Sequence, residues 1–207
     1  MATVKVPCQK VILCGEYGVG KSSLFRRFAM DTFVSASDRR STLGLDQFEK
    51  TYTVGPDQRQ IKLQLWDTGG LERVASVTSS YFKFAEAAIL VFALDNIDSF
   101  NILSQHLLEI VTHAEHAKIY VCGNKTDLKH DVVVTDADIQ MFCEQCHNVV
   151  TGTFKTSCKT GEGVQEMFAE ISRQVAVSSR SRKELERLDD RSFRVEAPHT
   201  PDEPCSC

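Results

Sequence analysis

The chain has 207 residues and a mass of 23.2 kDa, enough for one well-buried domain with a modest appendage and too short for two large ones. Its 24 Lys and Arg against 28 Asp and Glu give a net charge of −4, and 42% of the residues are hydrophobic. That balance excludes both the basic footprint of a nucleic-acid binder and a largely disordered chain. The longest apolar run, residues 87–94, is far below the length of a membrane helix. The early apolar stretch 11–14 is short and stops at Gly15, so no secretory signal is read and the cytosol is the expected compartment. The eight scattered cysteines are then expected to stay reduced, most of them as small buried residues.

Taken in chain order, short apolar runs alternate with segments of helical period, the pattern of an α/β domain with a sheet covered on both faces. Strands are expected at 10–14, 48–54, 61–66, 87–93, 119–123 and 153–156, and helices beginning near Lys21, Leu71, Ser99, Asp136 and Val164. Gly55-Pro56-Asp57-Gln58 between the second and third strands is hairpin-turn chemistry, so that pair should be antiparallel and the sheet mixed. Thr135 followed by Asp138 reads as a capping box. Beyond Val177 the pattern gives way to a charged and then proline-punctuated stretch. Residues 178–207 are therefore expected to be a largely disordered tail on a domain of residues 1–177.

The first strand runs into Gly15-Glu16-Tyr17-Gly18-Val19-Gly20-Lys21-Ser22, a full match to the phosphate-binding loop, set between strand and helix as its mechanism requires. Backbone N–H groups and the helix start cradle phosphates, Lys21 reaches the outer ones, and the Ser22 hydroxyl faces a magnesium ion. Such a loop does not choose among ATPases, kinases and GTPases. Asn124-Lys125-Thr126-Asp127 and Ser157-Cys158-Lys159 each follow a strand, at the sheet edge where ligands of α/β folds bind. The Asp127 carboxylate can accept two parallel hydrogen bonds from guanine, which adenine cannot supply, although the tetrapeptide by itself reads first as a solvated turn. Asp67, followed by Thr68-Gly69-Gly70, ends the third strand as the acidic group a nucleotide-bound magnesium needs; by itself it could be a helix cap. Cys143-Glu144-Gln145-Cys146-His147 spells a haem-attachment motif but lacks an export route or a second ligand cluster, and is assigned to a helix turn.

Together with Ser41-Thr42-Leu43-Gly44-Leu45-Asp46, Lys62-Leu63-Gln64-Leu65-Trp66-Asp67 and Ser80-Tyr81-Phe82, these motifs make residues 5–177 resemble the Ras superfamily of small GTPases, and its Rab branch in particular. The resemblance implies a P-loop GTPase fold, a six-stranded mostly parallel sheet with helices on both faces. It implies that Tyr17, Gly18, Val19, Gly20, Lys21, Ser22 and Ser23 surround the phosphates of GTP or GDP. Ser22, Thr42 and Asp67 would hold Mg2+, and Gly70 would lie beside the γ-phosphate. Phe33 would pack on the guanine edge, Lys125 and Lys159 would line the base beside Asn124, Asp127 and Ser157, and a backbone N–H near Cys158 would meet the guanine oxygen. Effectors, exchange factors and activating proteins are expected at two switch segments around Thr42 and from Asp67 to about Tyr81. The terminal Cys205-Ser206-Cys207 is similar to the C-x-C ending on which Rab proteins are prenylated. The expected role is a switch in vesicle trafficking on the cytoplasmic face of an intracellular membrane, with a soluble pool and no nucleic-acid partner.

Three positions depart from the family pattern. Leu71 stands where a glutamine positions the attacking water, so GTP hydrolysis is expected to be slow; a permanently GTP-bound scaffold is the alternative. Tyr17 puts bulk where the family often has a small residue, beside the phosphates or pointing outward. Gln47 replaces an aromatic effector-facing residue, and a bulge that shifts Phe48 into its place, or Trp66 and Tyr81, would have to supply that surface.

Overall fold

The computed structural model describes residues 6–35, 46–67, 81–147 and 149–178. Six strands, β1 (Cys8–Cys14), β2 (Asp46–Val54), β3 (Arg59–Asp67), β4 (Ala87–Ala93), β5 (Lys118–Asn124) and β6 (Val150–Thr156), form one sheet in the order β2-β3-β1-β4-β5-β6. Every neighbouring pair is parallel except β2 and β3, which are joined by the expected turn. In that turn Gly55 and Gln58 adopt φ of 72° and 52°, and the Gln58 N–H closes onto the Gly55 carbonyl at 3.3 Å. The strands overrun their apolar cores by a few polar residues, because a backbone ladder pairs whatever its side chains are.

The helices are α1 (Lys21–Met30), α2 (Ile97–Asn101), α3 (Leu103–His113), α4 (Asp136–Gln145) and α5 (Val164–Ser178). The helix expected near Ser99 starts earlier, at Ile97, because the Asn96 side chain accepts the Ser99 N–H at 3.0 Å and fixes the start. The Thr135 box forms in both directions: Thr135 Oγ1 accepts the Asp138 N–H at 3.3 Å, and Asp138 Oδ2 accepts the Thr135 N–H at 2.8 Å. The Thr135 hydroxyl, which donates to Asp138 Oδ2 at 2.7 Å, together with the Thr135 N–H holds the Asp138 carboxyl below the usual carboxylate range. The helix expected near Leu71, with Thr42, Gly70 and the tail carrying Cys205 and Cys207, lies outside the described residues.

β4 is buried along its whole length, its odd residues packing with Leu24, Phe28 and Phe168 under α1 and α5, its even ones with Phe100, Leu103 and Ile139 under α2, α3 and α4. A strand between two helical layers has no solvent face, which is why its sequence is a continuous apolar run. β2, at the edge, alternates polar residues outward. Its register against β3 is unbroken from Asp46 opposite Asp67 to Val54 opposite Arg59, so no bulge moves Phe48 into the place of Gln47. Phe48 instead meets Phe28 edge-on at 6.2 Å on the α1 side, while Gln47 lies opposite Trp66. Tyr81 is no surface residue either: it is 4% exposed and its hydroxyl donates to the Trp66 carbonyl at 2.9 Å, tying β3 to the segment before β4.

Candidate nucleotide site

The loop after β1 owes its shape to glycine. Gly15, Gly18 and Gly20 adopt φ of 136°, 81° and 106°, a region that side chains resist. At Gly15 there is also no room: a Cβ would stand 2.1 Å from the Val91 carbonyl oxygen of β4. Gly15→Ala is therefore expected to cost on the order of 3 kcal/mol, strain and overpacking together, read as a lower urea midpoint at fixed nucleotide. A Cβ on Gly20 would likewise fall 2.3 Å from Asn124 Nδ2.

Gly20 is the N-cap of α1, with no side-chain cap hydrogen bond and no acidic residue in the first turn. α4 differs on both counts, carrying its Thr135 cap and Asp136 and Asp138 in the first turn. The start of α1 therefore has no carboxylate of its own first turn opposing an anion at its positive dipole end. Lys21 is 5% exposed, and its ammonium is oriented by the Gly15 carbonyl at 2.6 Å and the Glu16 carbonyl at 2.9 Å. Val19 and Ser23 are buried, Ser22 is half-buried, and Tyr17 is 59% exposed, pointing to the surface. The Tyr17 N–H is accepted by Glu16 Oε1 at 2.8 Å.

Asp67 is 1% exposed at the carboxyl end of β3, on the same sheet edge as the loop. A hydroxyl from Ser22 and a carboxylate from Asp67 are hard oxygen donors, the set that suits magnesium rather than a soft transition metal. Phe33 is half-buried against the α1 and α5 core.

Asn124 joins the two halves of the site. Its Nδ2 donates to the Val19 carbonyl in the phosphate loop at 2.9 Å, while its Oδ1 accepts the Cys158 N–H at 3.2 Å and the Thr156 hydroxyl at 3.4 Å. At 2% exposure this amide braces both loops against β5. Cys158 is buried, and its thiol lies 3.3 Å from Asn124 Oδ1. Burial pushes the neighbouring Cys122 thiol up to about 12, which keeps it protonated beside Thr156.

Asp127 and Ser157 meet directly. The Ser157 hydroxyl accepts the Thr160 N–H at 3.1 Å and donates to Asp127 Oδ1 at 2.6 Å, and Lys159 Nζ stands 3.8 Å from Asp127 Oδ2. A fixed carboxylate with lone pairs to spare matches a pair of adjacent ring donors. Lys125, held at φ 73° after β5, pairs with both oxygens of Asp95 at 3.0 and 3.2 Å.

Two residues here escape sequence reading. Asp95 belongs to no motif, and only its place just beyond β4 connects it with Lys125. Arg27 donates to the Cys158 and Lys159 carbonyls at 2.7 and 2.8 Å. Its one local sign is an i,i+4 pairing with Asp31.

A family model described as the Ras family matches residues 10–177. The chain is 38% identical over 167 residues to the Ras-related protein Rab-1D of Dictyostelium discoideum, covering 80% of this chain and 78% of the relative. It is 34% identical over 178 residues to the Ras-related protein Rab-25 of Oryctolagus cuniculus, with 83% and 82% covered. Against the GTP-binding protein ypt1 of Schizosaccharomyces pombe the identity is 36% over 167 residues, with 80% and 79% covered. With a family match that runs from β1 to the end of α5 and relatives of that likeness, the chain belongs to the Ras family, as a divergent member of its Rab branch.

Proposed function

We propose that the chain is a Rab-like molecular switch that binds GTP and GDP with magnesium and acts in vesicle trafficking. The observation that carries this reading is the Asn124 amide, bonded to the phosphate loop on one side and to the 157–159 loop on the other. That bridge ties the phosphate loop to the 157–159 loop, which supports one site for phosphates and base together. The phosphates lie on the N-terminus of α1, with residues 17–23 around them and Lys21 on the outer oxygens. Guanine is read by Asp127, with Lys125 and Lys159 along the ring and Phe33 at its edge. A backbone N–H near Cys158 meets the guanine oxygen. Magnesium, when bound, neutralises the outer phosphate charge, and Ser22, Thr42 and Asp67 supply oxygen ligands for it.

In this reading residues 1–177 are the nucleotide domain, and 178–207 is a tail lipidated at Cys205 and Cys207. Two prenyl chains give stable residence on the cytoplasmic face of an intracellular membrane, where one gives only marginal binding. The switch segments around Thr42 and Gly70 sense the γ-phosphate and meet effectors, exchange factors and activating proteins. GTPase turnover is slow, since Leu71 cannot hydrogen-bond a water. Leucine in place of the water-positioning glutamine at position 71 also allows a second reading, a scaffold that keeps its GTP. Identification of the nucleotide co-purified with the full chain, sampled over prolonged incubation with magnesium, is the test. Slow conversion of GTP to GDP is expected; GTP that never converts, even with cell extract, supports the scaffold, and absence of any guanine nucleotide overturns both.

A further inference from the structure

All three guanidinium nitrogens of Arg27 are engaged, and mostly by backbone. Nε donates to the Cys158 carbonyl at 2.7 Å, Nη2 to the Lys159 carbonyl at 2.8 Å, and Nη1 to the Asp31 carbonyl at 2.8 Å and its Oδ1 at 3.1 Å. The Arg27 side chain is 15% exposed, against 77% for Asp31. The pair with Asp31 is a surface contact of small energetic weight. The bonds to two consecutive carbonyls are different in kind, spanning 131 and 132 positions of sequence. A planar fork matches adjacent acceptors in a way that a single ammonium cannot.

The loop so held starts with Ser157, the donor to Asp127 Oδ1. It belongs to neither β6 nor α5, so tethers set its position: the Ser157 N–H on the Glu162 carbonyl at 3.0 Å, the Cys158 N–H on Asn124, and Arg27 on the carbonyl side. Arg27 itself stands on α1, whose first turn carries the phosphate loop and whose end is closed by Asp31 in the left-handed region. One side chain thereby joins the base side of the cleft to the phosphate side.

We infer that Arg27 is a positioning residue for base selection, its guanidinium holding the 157–159 loop against α1 so that Asp127 meets guanine in a fixed register. The inference rests on the guanine-nucleotide reading above. Loosening the loop weakens contacts to the base more than contacts to the phosphates. Inosine nucleotides, which lack the exocyclic amine that Asp127 reads, have less to lose.

The test compares dissociation of GDP and of inosine diphosphate from the full chain in magnesium, for wild type, Arg27→Lys and Arg27→Met, alongside thermal midpoints in saturating GDP. Arg27→Met is expected to release GDP about tenfold faster, the loss of one to two charge-assisted hydrogen bonds. The ratio of inosine to guanine release rates should narrow severalfold, and Arg27→Lys should restore part of it. Unchanged GDP release, or equal acceleration of both nucleotides, overturns the inference and leaves Arg27 a plain structural tie. Should Arg27→Met fail to fold, Arg27→Lys decides: a narrowed ratio supports the assignment and an unaltered one overturns it. A wild type that holds no guanine nucleotide refutes the underlying reading instead.

Discussion

Asp127→Asn is expected to abolish selection of guanine and to transfer it to xanthine. The side chain is 13% exposed and held by the Ser157 hydroxyl, so an isosteric amide keeps its place with its oxygen still accepting that bond. What changes is the pattern offered to the base. The carboxylate presents two acceptors to the N1–H and exocyclic amine of guanine, whereas asparagine presents one acceptor and one donor. The donor then faces an amine, leaving two groups unsatisfied in a confined site. Xanthine, with a carbonyl in place of the amine, restores complementarity. Sites built to hydrogen-bond a group discriminate steeply against its replacement, so guanine affinity should fall about 10³-fold or more, with xanthine nucleotides rising above it. Competition among GDP, xanthosine diphosphate and ADP on wild type and variant measures this directly. Unaltered guanine affinity, or ADP competing equally in the wild type, removes Asp127 as the base reader.

Much of this architecture is legible in the residues alone, and what is not has a physical reason. β4 announces itself because a doubly covered strand must be apolar throughout, and the 55–58 turn because its backbone demands turn formers. The glycine loop is legible because close approach to Val91 and Asn124 forbids side chains there. Arg27 and Asp95 are not legible: their partners are backbone carbonyls and a lysine brought near only by folding, and neither contact leaves a spacing in sequence. The role of Asn124 is half legible. Its place at the end of β5, opening the Asn-Lys-Thr-Asp run, marks it as a candidate site residue, yet the fold engages its amide with protein on both ends, as a brace between loops. Tyr81 misleads for the opposite reason. An aromatic near a switch segment suggests a surface, but its hydroxyl finds the Leu13 N–H at 3.2 Å and the Trp66 carbonyl, which lets it be buried at no polar cost.

Leu71→Gln is expected to raise the intrinsic rate of GTP hydrolysis, on the order of 10-fold to 100-fold in single-turnover measurements, the scale on which positioning of an attacking water acts. Glutamine offers a carbonyl and an amide that together orient a water, and leucine offers neither. Tyr17→Ser tests a separate obstacle. Tyr17 is 59% exposed on the phosphate loop, where its ring is accessible to an approaching protein. An activating protein that inserts an arginine must pass it. Removal of the ring should leave the intrinsic rate within about twofold, since the ring adds no group that orients water. The rate stimulated by an activating protein or cell extract should rise. Two obstacles acting on different steps predict near-additive effects on the stimulated rate in the double variant, whereas one shared obstacle predicts that either substitution alone restores most of it. Equal intrinsic rates for wild type and Leu71→Gln would mean that another group already positions the water, and slow turnover would then have no basis in this residue.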